Sequence, residues 1–360
     1  MYNIIYMKRT MKKRLRSKPS RKKINKRYSR RNKLRRNKLS RRKLKGGEGT
    51  PDENISYKLK SPFDEHTDKI DWYNLAYNPH AISLIEQNLD KLDLPAWAML
   101  SGNTNLEAIP ILAENLDKVD WGRLSENPNA IPILEQNLDK VNWCRLSLNP
   151  NAIHILEQNL DKVHWICLSK NPNAIPILEQ NLDKVDWRRL SQNPNAIHIL
   201  EQNLDKVYWT ELSGNPNAIP ILQNNLEEVY WDELSENPNA IPILEQNLDE
   251  VDWYYLSENP NAIPILADHL NKIRWRELSL NPNAIPILEA NVDKVDWLNL
   301  SQNPNAIHIL GQHLDKVDWR ELSLNPNAVP ILQNNLDKVD WSLIWLNPSI
   351  FEEEMLFILK

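Results

Sequence analysis

The stretch Trp319-Arg-Glu-Leu-Ser-Leu-Asn-Pro-Asn-Ala-Val-Pro-Ile-Leu-Gln-Asn-Asn-Leu-Asp-Lys-Val-Asp340 decides the fold, because near-copies of these 22 residues fill most of the chain. Tryptophan marks the register of the copies, and from Trp121 to Trp341 it recurs every 22 residues without an insertion. Two earlier copies begin at Trp72 and Trp97. A fixed period of this length is typical of a solenoid, in which each repeat packs mainly against its neighbours. We therefore expect one repeat domain rather than several globular domains.

Each repeat is numbered here from its tryptophan, which is position 1. The aspartate at position 22 can cap a short helix that carries the tryptophan and the leucine at position 4. Asn-Pro-Asn at positions 7 to 9 ends that helix, because the residue before proline disfavours the α conformation. The asparagine at position 9 can cap a second helix, in which the apolar residues at positions 11, 14, 18 and 21 have helical spacing. The pattern predicts an all-α solenoid of about thirteen two-helix repeats, with proline at position 12 in the first turn of the second helix.

A leucine-rich-repeat solenoid is the alternative fold, because Trp-x-x-Leu-x-x-x-x-Asn-x-Ile matches most of its consensus at an allowed period. That fold buries an apolar strand residue at position 6. Here, seven of the ten residues at position 6 between the third and twelfth repeats are not apolar, namely Glu126, Lys170, Gln192, Gly214, Glu236, Glu258 and Gln302. The composition of this position favours the helical solenoid.

The two ends of the array depart from the consensus. We interpret residues 55–71 as a degenerate N-terminal cap, residues 72–340 as the tandem repeats and residues 341–360 as a C-terminal capping repeat. Terminal repeats are expected to be atypical, because one of their faces has no neighbour. Helices stacked at about 8–10 Å per layer then predict an open rod or superhelix of the order of 100 Å long.

Charge divides the chain into a basic arm and an acidic body. Residues 1–47 contain 22 lysines and arginines and no acid, and residues 48–360 contain the other 22 bases and all 48 acids, giving charges of about +22 and −26. We predict a disordered basic arm at residues 1–45 and a flexible linker at residues 46–54. Such an arm is expected to bind nucleic acid or another polyanion, although a nuclear-localisation signal and pairing with the acidic body remain open. The cations assigned to this role are Lys12, Lys13, Arg14, Arg16, Arg21, Lys22, Lys23, Arg30, Arg31, Arg35, Arg36, Arg41, Arg42, Lys43 and Lys45.

Residues with catalytic or metal-binding chemistry are scattered over the repeats. Histidines at position 12 lie in different repeats, His164 occupies a capping position, and the serine at position 5 recurs in nearly every copy as a structural element. The only two cysteines, Cys144 and Cys167, stand at different positions of adjacent repeats, so we expect neither a disulfide framework nor a four-ligand zinc site. We predict no catalytic residue, cofactor site or metal site, and cysteine usage favours a reducing compartment.

The tryptophans are predicted to form a buried ladder rather than a platform for stacked bases, because the acidic body repels phosphates. Positions 2, 3 and 6 vary between repeats and should form a continuous surface strip. The mixed chemistry of the strip suits a protein partner, although unselected variation would produce the same pattern. The residues predicted to bind that partner are Arg188, Arg189, Tyr254, Tyr255 and Arg276. No apolar run reaches the length of a membrane span, so an intracellular protein without membrane contact is expected.

The repeat Trp-x-x-Leu-Ser-x-Asn-Pro-Asn-Ala-Ile resembles the uncharacterised short tandem-repeat proteins of giant and other large DNA viruses over residues 72–348. The resemblance implies a viral source and a place in the virion or the cytoplasmic viral factory, or in the nucleus through the basic arm, and it implies no activity. Taken together, we expect a non-enzymatic protein-interaction scaffold whose arm binds polyanions. A structural virion component is the first alternative, and a protein that reads nucleic acid through its repeats is the second.

Overall fold

The structure is a computed structural model and describes residues 55–355. The arm at residues 1–45 and the linker at residues 46–54 therefore lie outside the described residues, as do residues 356–360. Thirteen repeats follow one another from repeat 1, which begins at Trp72, to repeat 13, which begins at Trp341. The helical solenoid predicted from the sequence is confirmed, and the only strands between residues 55 and 355 are Ile55–Leu59 (β1) and Phe351–Met355 (β2). No helix in this part of the chain is long and apolar enough to cross a membrane.

In repeats 1 and 3 to 12 the first helix begins at its tryptophan, as predicted, whereas in repeat 2 it begins at Leu94, three residues before Trp97. In most repeats the residue at position 22 caps it, and Asp186 is typical because its carboxylate accepts a hydrogen bond of 2.8 Å from the Arg189 N–H. The helix ends where Asn-Pro follows, since proline excludes the preceding residue from the α region. These first helices are Trp72–Leu75, Leu94–Ser101, Trp121–Glu126, Trp143–Leu148, Trp165–Leu168, Trp187–Ser191, Trp209–Ser213, Trp231–Glu236, Trp253–Glu258, Trp275–Leu278, Trp297–Gln302 and Trp319–Leu324.

The second helix is shorter than the periodicity predicted. It ends soon after position 15 because the side chain at position 17 bonds back to the carbonyl at position 13, as Asn181 does to Ile177 at 2.9 Å. Its predicted cap is also wrong: the residue before the helix is alanine, and the asparagine at position 9 bonds to the preceding repeat instead. These second helices are Ile82–Glu86, Ala108–Ala113, Ile131–Leu134, Ile153–Glu157, Ile175–Glu179, Ile197–Glu201, Ile219–Gln223, Ile241–Leu244, Ile263–Asp268, Ile285–Glu289, Ile307–Gln312 and Val329–Gln333.

Six short 3₁₀ helices complete the described secondary structure. They are Phe63–Lys69, Pro79–Ala81, Leu89–Lys91, Leu226–Glu228, Ile344–Leu346 and Pro348–Ile350. Helices of four to eight residues are not stable alone in water, so the stability of this fold must come from packing between repeats.

The core is a continuous column of aliphatic side chains. In repeat 5, Leu168, Ala174 and Leu178 are fully buried, and the same three positions are buried throughout the regular repeats. The tryptophans of position 1 are instead half-buried, with Trp97 as the buried exception. The ladder of tryptophans predicted from the sequence is therefore only partly buried, and one face of each indole is left for a contact described below.

Two buried polar side chains hold the array together, an asparagine that bonds to the preceding repeat and a serine that bonds within its own repeat. The buried asparagine at position 7 donates to the backbone carbonyls of positions 5 and 7 of the preceding repeat, as Asn193 does to Ser169 at 3.2 Å and to Asn171 at 3.0 Å. The buried serine at position 5 donates to the tryptophan carbonyl of its own helix and accepts from the N–H at position 22. Buried polar groups need such partners, and here those of the asparagine lie in the preceding repeat and those of the serine in its own repeat. The structural role predicted for this serine is confirmed.

The asparagine ladder has no free end. Asn78 of repeat 1 donates to the carbonyls of Trp345 (3.0 Å) and Asn347 (3.2 Å) in repeat 13, which are again positions 5 and 7. Asn347 in turn continues the ladder to Ser323 and Asn325 of repeat 12. The thirteen repeats therefore form a closed ring, and the open rod expected from the sequence is wrong. One full turn shared by thirteen repeats is a mean rotation of about 28° each.

Repeat 13 is assembled from both ends of the array. Residues 341–350 supply its positions 1 to 10, and residues 63–71 supply its positions 14 to 22. Phe63, which takes the place of the leucine at position 14, is fully buried, and Lys69, at position 20, lies over the Trp341 ring. The indole N–H of Trp345 donates to the Lys69 carbonyl at 3.0 Å. The two segments predicted to cover separate free ends thus complete one repeat together.

A two-stranded antiparallel sheet fastens this split repeat. Strand β1 pairs with β2 in the register Tyr57 to Glu353, and Ile55 lies opposite Met355. The Lys58 ammonium and the Glu352 carboxylate form an exposed ion pair at 3.5 Å. The sheet occupies the place that the start of the second helix takes in the regular repeats, since it connects positions 10 and 14.

The ring has a tight and a loose side. First helices of neighbouring repeats contact each other closely in most pairs, whereas second helices contact one another only sparsely. In a closed ring the closer-packed elements lie at the smaller radius. The first helices consequently line the inner circumference and carry the variable positions 2, 3 and 6.

Candidate interaction surface

A lysine at position 20 covers the tryptophan of its own repeat. Lys184, for example, places its ammonium 4.9 Å from the centroid of the Trp165 ring. The same contact, at 4.2–5.2 Å, is made over Trp97, Trp121, Trp143, Trp165, Trp187, Trp253, Trp275, Trp297, Trp319 and Trp341. A cation over an indole face is attracted by the ring quadrupole and contributes about 0.5–1 kcal/mol at exposed sites.

Repeats 7 and 8 lack this lysine. Position 20 is Glu228 in repeat 7 and Glu250 in repeat 8, and both carboxylates are exposed. A carboxylate cannot take the place of an ammonium over an indole face, because the ring face is itself electronegative. Trp209 and Trp231, both half-buried, therefore keep an outward face without an internal cation.

The same two repeats have lost the aspartate that caps their first helices. Tyr208 and Tyr230 stand in its place, make no side-chain capping bond, and are 51% and 50% exposed. Loss of a cap costs about 0.5–2 kcal/mol per helix, so the tyrosines do not improve the stability of the fold. Exposed tyrosines, uncovered tryptophans and exposed carboxylates are thus concentrated in two adjacent repeats, and we call Tyr208, Trp209, Glu228, Tyr230, Trp231 and Glu250 the aromatic sector.

The predicted variable strip exists as a chain of contacts between neighbouring first helices. Position 3 of one repeat meets position 2 of the preceding one, as in the ion pair of Glu211 with Arg188 and the hydrogen bond of 2.8 Å from the Asn299 amide to the Arg276 carbonyl. Position 6 meets position 3 of the following repeat, as in the ion pair of Glu126 with Arg145. Side chains on this strip therefore bind each other between neighbouring repeats, in addition to any contact with a partner.

The five partner-binding residues predicted from the sequence lie on this strip but do not form one cluster. The Arg188 guanidinium is held by Glu211, and that hydrogen bond raises the Arg188 pKa. The Arg189 side chain is exposed. Tyr254 and Tyr255 contact each other edge to face at 5.1 Å. Arg276 is exposed in the next repeat. Where a partner binds on this strip stays a prediction.

The strip is acidic beside the aromatic sector. Glu233 has a raised pKa, first because partial burial disfavours its charge and then because Asp232, Glu236 and Glu211 are close. Desolvation likewise raises the pKa of Tyr255, with Asp232 and Glu233 among the nearby negative charges. A shallow depression lined by Arg188, Glu211, Gly214 and Glu233 lies at the same place. Tyr254 and Tyr255 were predicted from the sequence, but the aromatic sector was not. The replacement of lysine by glutamate at position 20 could have indicated it.

The cysteines contradict their sequence interpretation. Cys144 and Cys167 form a disulfide, with Cα atoms 5.7 Å apart. They occupy position 2 of repeat 4 and position 3 of repeat 5, which are the positions that meet across the strip. The sequence indicated no disulfide framework and did not predict this single bridge, because pairing depends on the stagger between repeats, which residue spacing alone does not reveal.

The histidines at position 12 lie on the outer, second-helix side. His154 and His198 bond to Glu135 and Glu179, which occupy position 15 of the preceding repeats. All four of these side chains are about half exposed.

Comparisons with protein-family models, with curated proteins and with solved structures found no match to this chain.

Proposed function

We propose that the ring is a non-enzymatic scaffold that binds a protein segment bearing lysine or arginine at its aromatic sector. The observation that carries the proposal is the loss of the covering lysine over Trp209 and Trp231 while ten other repeats keep it. Those ten contacts supply an intramolecular precedent for an ammonium on this indole face. A partner's cation at Trp209 or Trp231 would make the same contact.

Charge supports the same partner. Glu228 and Glu250 occupy position 20, from which a lysine extends over the ring in other repeats, and Glu227 and Asp249 precede them in the chain. A cation arriving at the indole face thus meets carboxylates within the same two repeats. Exposed tyrosines beside half-buried tryptophans are the composition typical of binding hot spots.

The test restores the consensus of the ring at the sector. A variant carrying Tyr208→Asp, Tyr230→Asp, Glu228→Lys and Glu250→Lys gains two caps and two covering lysines, so it should fold at least as well as the parent. Peptides selected on the parent chain from a random display library should be rich in lysine and arginine and should not bind this variant.

The matched control opens two ordinary repeats instead. Lys294→Glu and Lys316→Glu uncover Trp275 and Trp297 without adding tyrosines, and selected peptides should bind this control as they bind the parent. Peptides that bind the consensus-restored variant as tightly as the parent would show that the sector is not the binding site.

The basic arm suggests a second partner, by sequence alone. Twenty-two cations within residues 1–47 can displace many counterions from a nucleic acid, which gives affinity that falls steeply with salt and depends little on base sequence. Full-length chain, residues 52–360 and the isolated arm should be compared on unrelated DNA and RNA at increasing salt. Binding is expected to require the arm; binding retained by residues 52–360 would favour the alternative in which the repeats read nucleic acid.

A structural role in a virion is the remaining alternative and rests on the resemblance to viral repeat proteins. Its distinguishing measurement is the stoichiometry of the chain in purified particles. A structural component should be present in many copies per particle, whereas a scaffold for a viral-factory or nuclear partner should be absent from particles or present in traces.

A further inference from the structure

Three metal-ligating side chains meet where repeats 4 and 5 adjoin. The Sγ atoms of Cys144 and Cys167 and a ring nitrogen of His164 all lie within 4.8 Å of one another. Both cysteines are half-buried and His164 is exposed, so the group is anchored in the protein at the cysteines and open to solvent at the histidine. Residues 144, 164 and 167 belong to two repeats and are brought together by the stagger that also joins Arg188 to Glu211.

His164 occupies position 22, where most repeats place the capping aspartate. Its side chain makes no capping hydrogen bond. Its backbone still serves the fold, because its N–H donates to Ser147 Oγ at 3.1 Å and its carbonyl accepts from the Leu168 N–H at 2.9 Å. The imidazole is therefore not required for the architecture. Other repeats also replace the aspartate, but only here does the replacement carry a ligand atom beside two thiols.

We propose that Cys144, Cys167 and His164 bind a zinc ion when the two cysteines are reduced. Two thiolates and an imidazole are a donor set that zinc prefers. Tetrahedral coordination with Zn–S of about 2.3 Å and Zn–N of about 2.0 Å separates ligand atoms by roughly 3.5–3.8 Å. That separation lies within the 4.8 Å that encloses the three atoms, so side-chain rotations suffice to reach it.

The fourth coordination position faces solvent and is left to water or to an incoming ligand. Closed structural zinc sites have four protein ligands, whereas sites with three keep an exchangeable position. Because the ligands come from two repeats, bound zinc would cross-link repeats 4 and 5 on the inner strip. The expected consequence is a locally stiffened ring.

The disulfide and the zinc site exclude each other, since both use the same two sulfur atoms. Reduction by a dithiol transfers two electrons and two protons to the cystine, which becomes two thiols while the dithiol becomes its own disulfide. Zinc binding then releases both thiol protons to solvent, because thiolate is the ligand. Zinc occupancy would thus depend on the thiol–disulfide state of the surroundings.

The experiment is a cobalt titration of the full chain after reduction by a phosphine, which supplies no thiolate. Tetrahedral cobalt bound by thiolates gives charge-transfer absorption in the near ultraviolet and intense visible bands. One equivalent of Co²⁺ should produce both, and one equivalent of Zn²⁺ should abolish them. The oxidised chain should give neither.

Two variants separate ligation from folding. Cys144→Ser with Cys167→Ser should abolish the bands. His164→Asn supplies a capping side chain of the kind that Asn142 provides, so it should fold as well as the parent while its Co²⁺ affinity falls by more than the roughly 10–100-fold that loss of an outer-shell partner causes. His154→Pro restores the consensus at another histidine and should leave the titration unchanged.

Three results would overturn the proposal: no thiolate bands in the reduced chain, bands retained by the double serine variant, or equal Co²⁺ affinity in His164→Asn and the parent. The first would leave a disulfide as the only role of the cysteines. The third would remove His164 from the site.

Discussion

Replacing Asn78 by alanine should destabilise the ring about as much as replacing Asn193, although the two residues lie in the first and the sixth repeat. Each side chain is buried and donates to two backbone carbonyls of the preceding repeat. Each also accepts from the N–H two residues later, at 3.0 Å in both cases. The comparison isolates closure, because the preceding repeat of Asn78 exists only if repeat 13 is in contact.

The expected loss follows from the three hydrogen bonds. A net contribution of about 0.5–1.5 kcal/mol for each gives about 1.5–4.5 kcal/mol for either substitution. In an open array Asn78 would keep only the bond from the His80 N–H, and its amide would face solvent. The loss for Asn78→Ala would then be about 0.5–1.5 kcal/mol, a third of the loss for Asn193→Ala.

Urea unfolding followed by tryptophan fluorescence and by helical circular dichroism measures both variants. Repeat arrays need not unfold in one step, so the midpoint of the earliest transition is the quantity to compare. Asn195→Ala is the control, since its exposed amide makes a single bond of 2.9 Å to the Pro172 carbonyl. An Asn78→Ala midpoint close to this control, with Asn193→Ala far below both, would refute ring closure.

Three further substitutions test the packing and the electrostatics of the ring. Trp209→Ala should cost close to the lower end of the roughly 3–5 kcal/mol typical of buried aromatics, because the indole is half-buried, and hydrogen exchange should place the damage in adjacent repeats. Lys294→Ala should cost only about 0.5–1 kcal/mol in urea unfolding, since it removes one cation over Trp275. Glu233→Gln should raise the unfolding midpoint at neutral pH. The raised pKa of Glu233 means that the folded state favours the protonated carboxyl, so the ionised carboxylate destabilises the fold. That destabilisation develops as pH rises and fades as pH falls through the carboxyl range. An unchanged difference between Glu233→Gln and the parent from acid to neutral pH would contradict that assignment.

Local structure could be predicted from the sequence where the signal and its effect lie within one repeat. Asp186 before Trp187 predicts a capped helix, and Asn193-Pro194 predicts its end, because both depend on the backbone of adjacent residues. The serine at position 5 could also be assigned a structural role from its recurrence alone. Its second partner, the N–H at position 22 of the same repeat, could not be identified without the folded path of the repeat.

Closure of the ring could not be predicted, because the hydrophobic pattern does not determine the rotation between repeats. A small change in that rotation at each interface separates a ring from an open superhelix after thirteen repeats. A signal was nevertheless present: residues 63–71 match positions 14 to 22, and residues 341–350 match positions 1 to 10. Two complementary fragments at opposite ends of a repeat array indicate a split repeat more specifically than they indicate two caps.

The two candidate sites could not be predicted for the same reason. Cys144, His164 and Cys167 are separated by 20 and 3 residues, which excludes a local motif but not a meeting across the stagger of two repeats. The aromatic sector was readable as a departure from the consensus at positions 20 and 22, but its meaning depends on knowing that position 20 covers position 1.

A split repeat makes the position of the chain ends arbitrary, which leads to a circular permutation test. Ile55 and Met355 lie opposite each other in the sheet, so a short turn can join β2 to β1 as a hairpin. New ends can then be placed between repeats, for example after Asp205 in the exposed turn that follows a second helix. The permutant keeps every inter-repeat hydrogen bond of residues 55–355 and replaces only one connection.

The permutant should fold with the helical content of the parent body and unfold at a similar urea concentration. Cutting after Asp205 separates positions 1 to 19 of repeat 6 from positions 20 to 22, so Lys206 must still reach Trp187 across the cut, as Lys69 reaches Trp341 in the natural chain. The control is the same cut without the new hairpin, which leaves two fragments whose association should depend on concentration. If the ring were open, joining Met355 to Ile55 would force together ends that do not meet, and the permutant would lose helicity or aggregate. Native-like folding of the permutant therefore requires the two ends to meet in the natural chain.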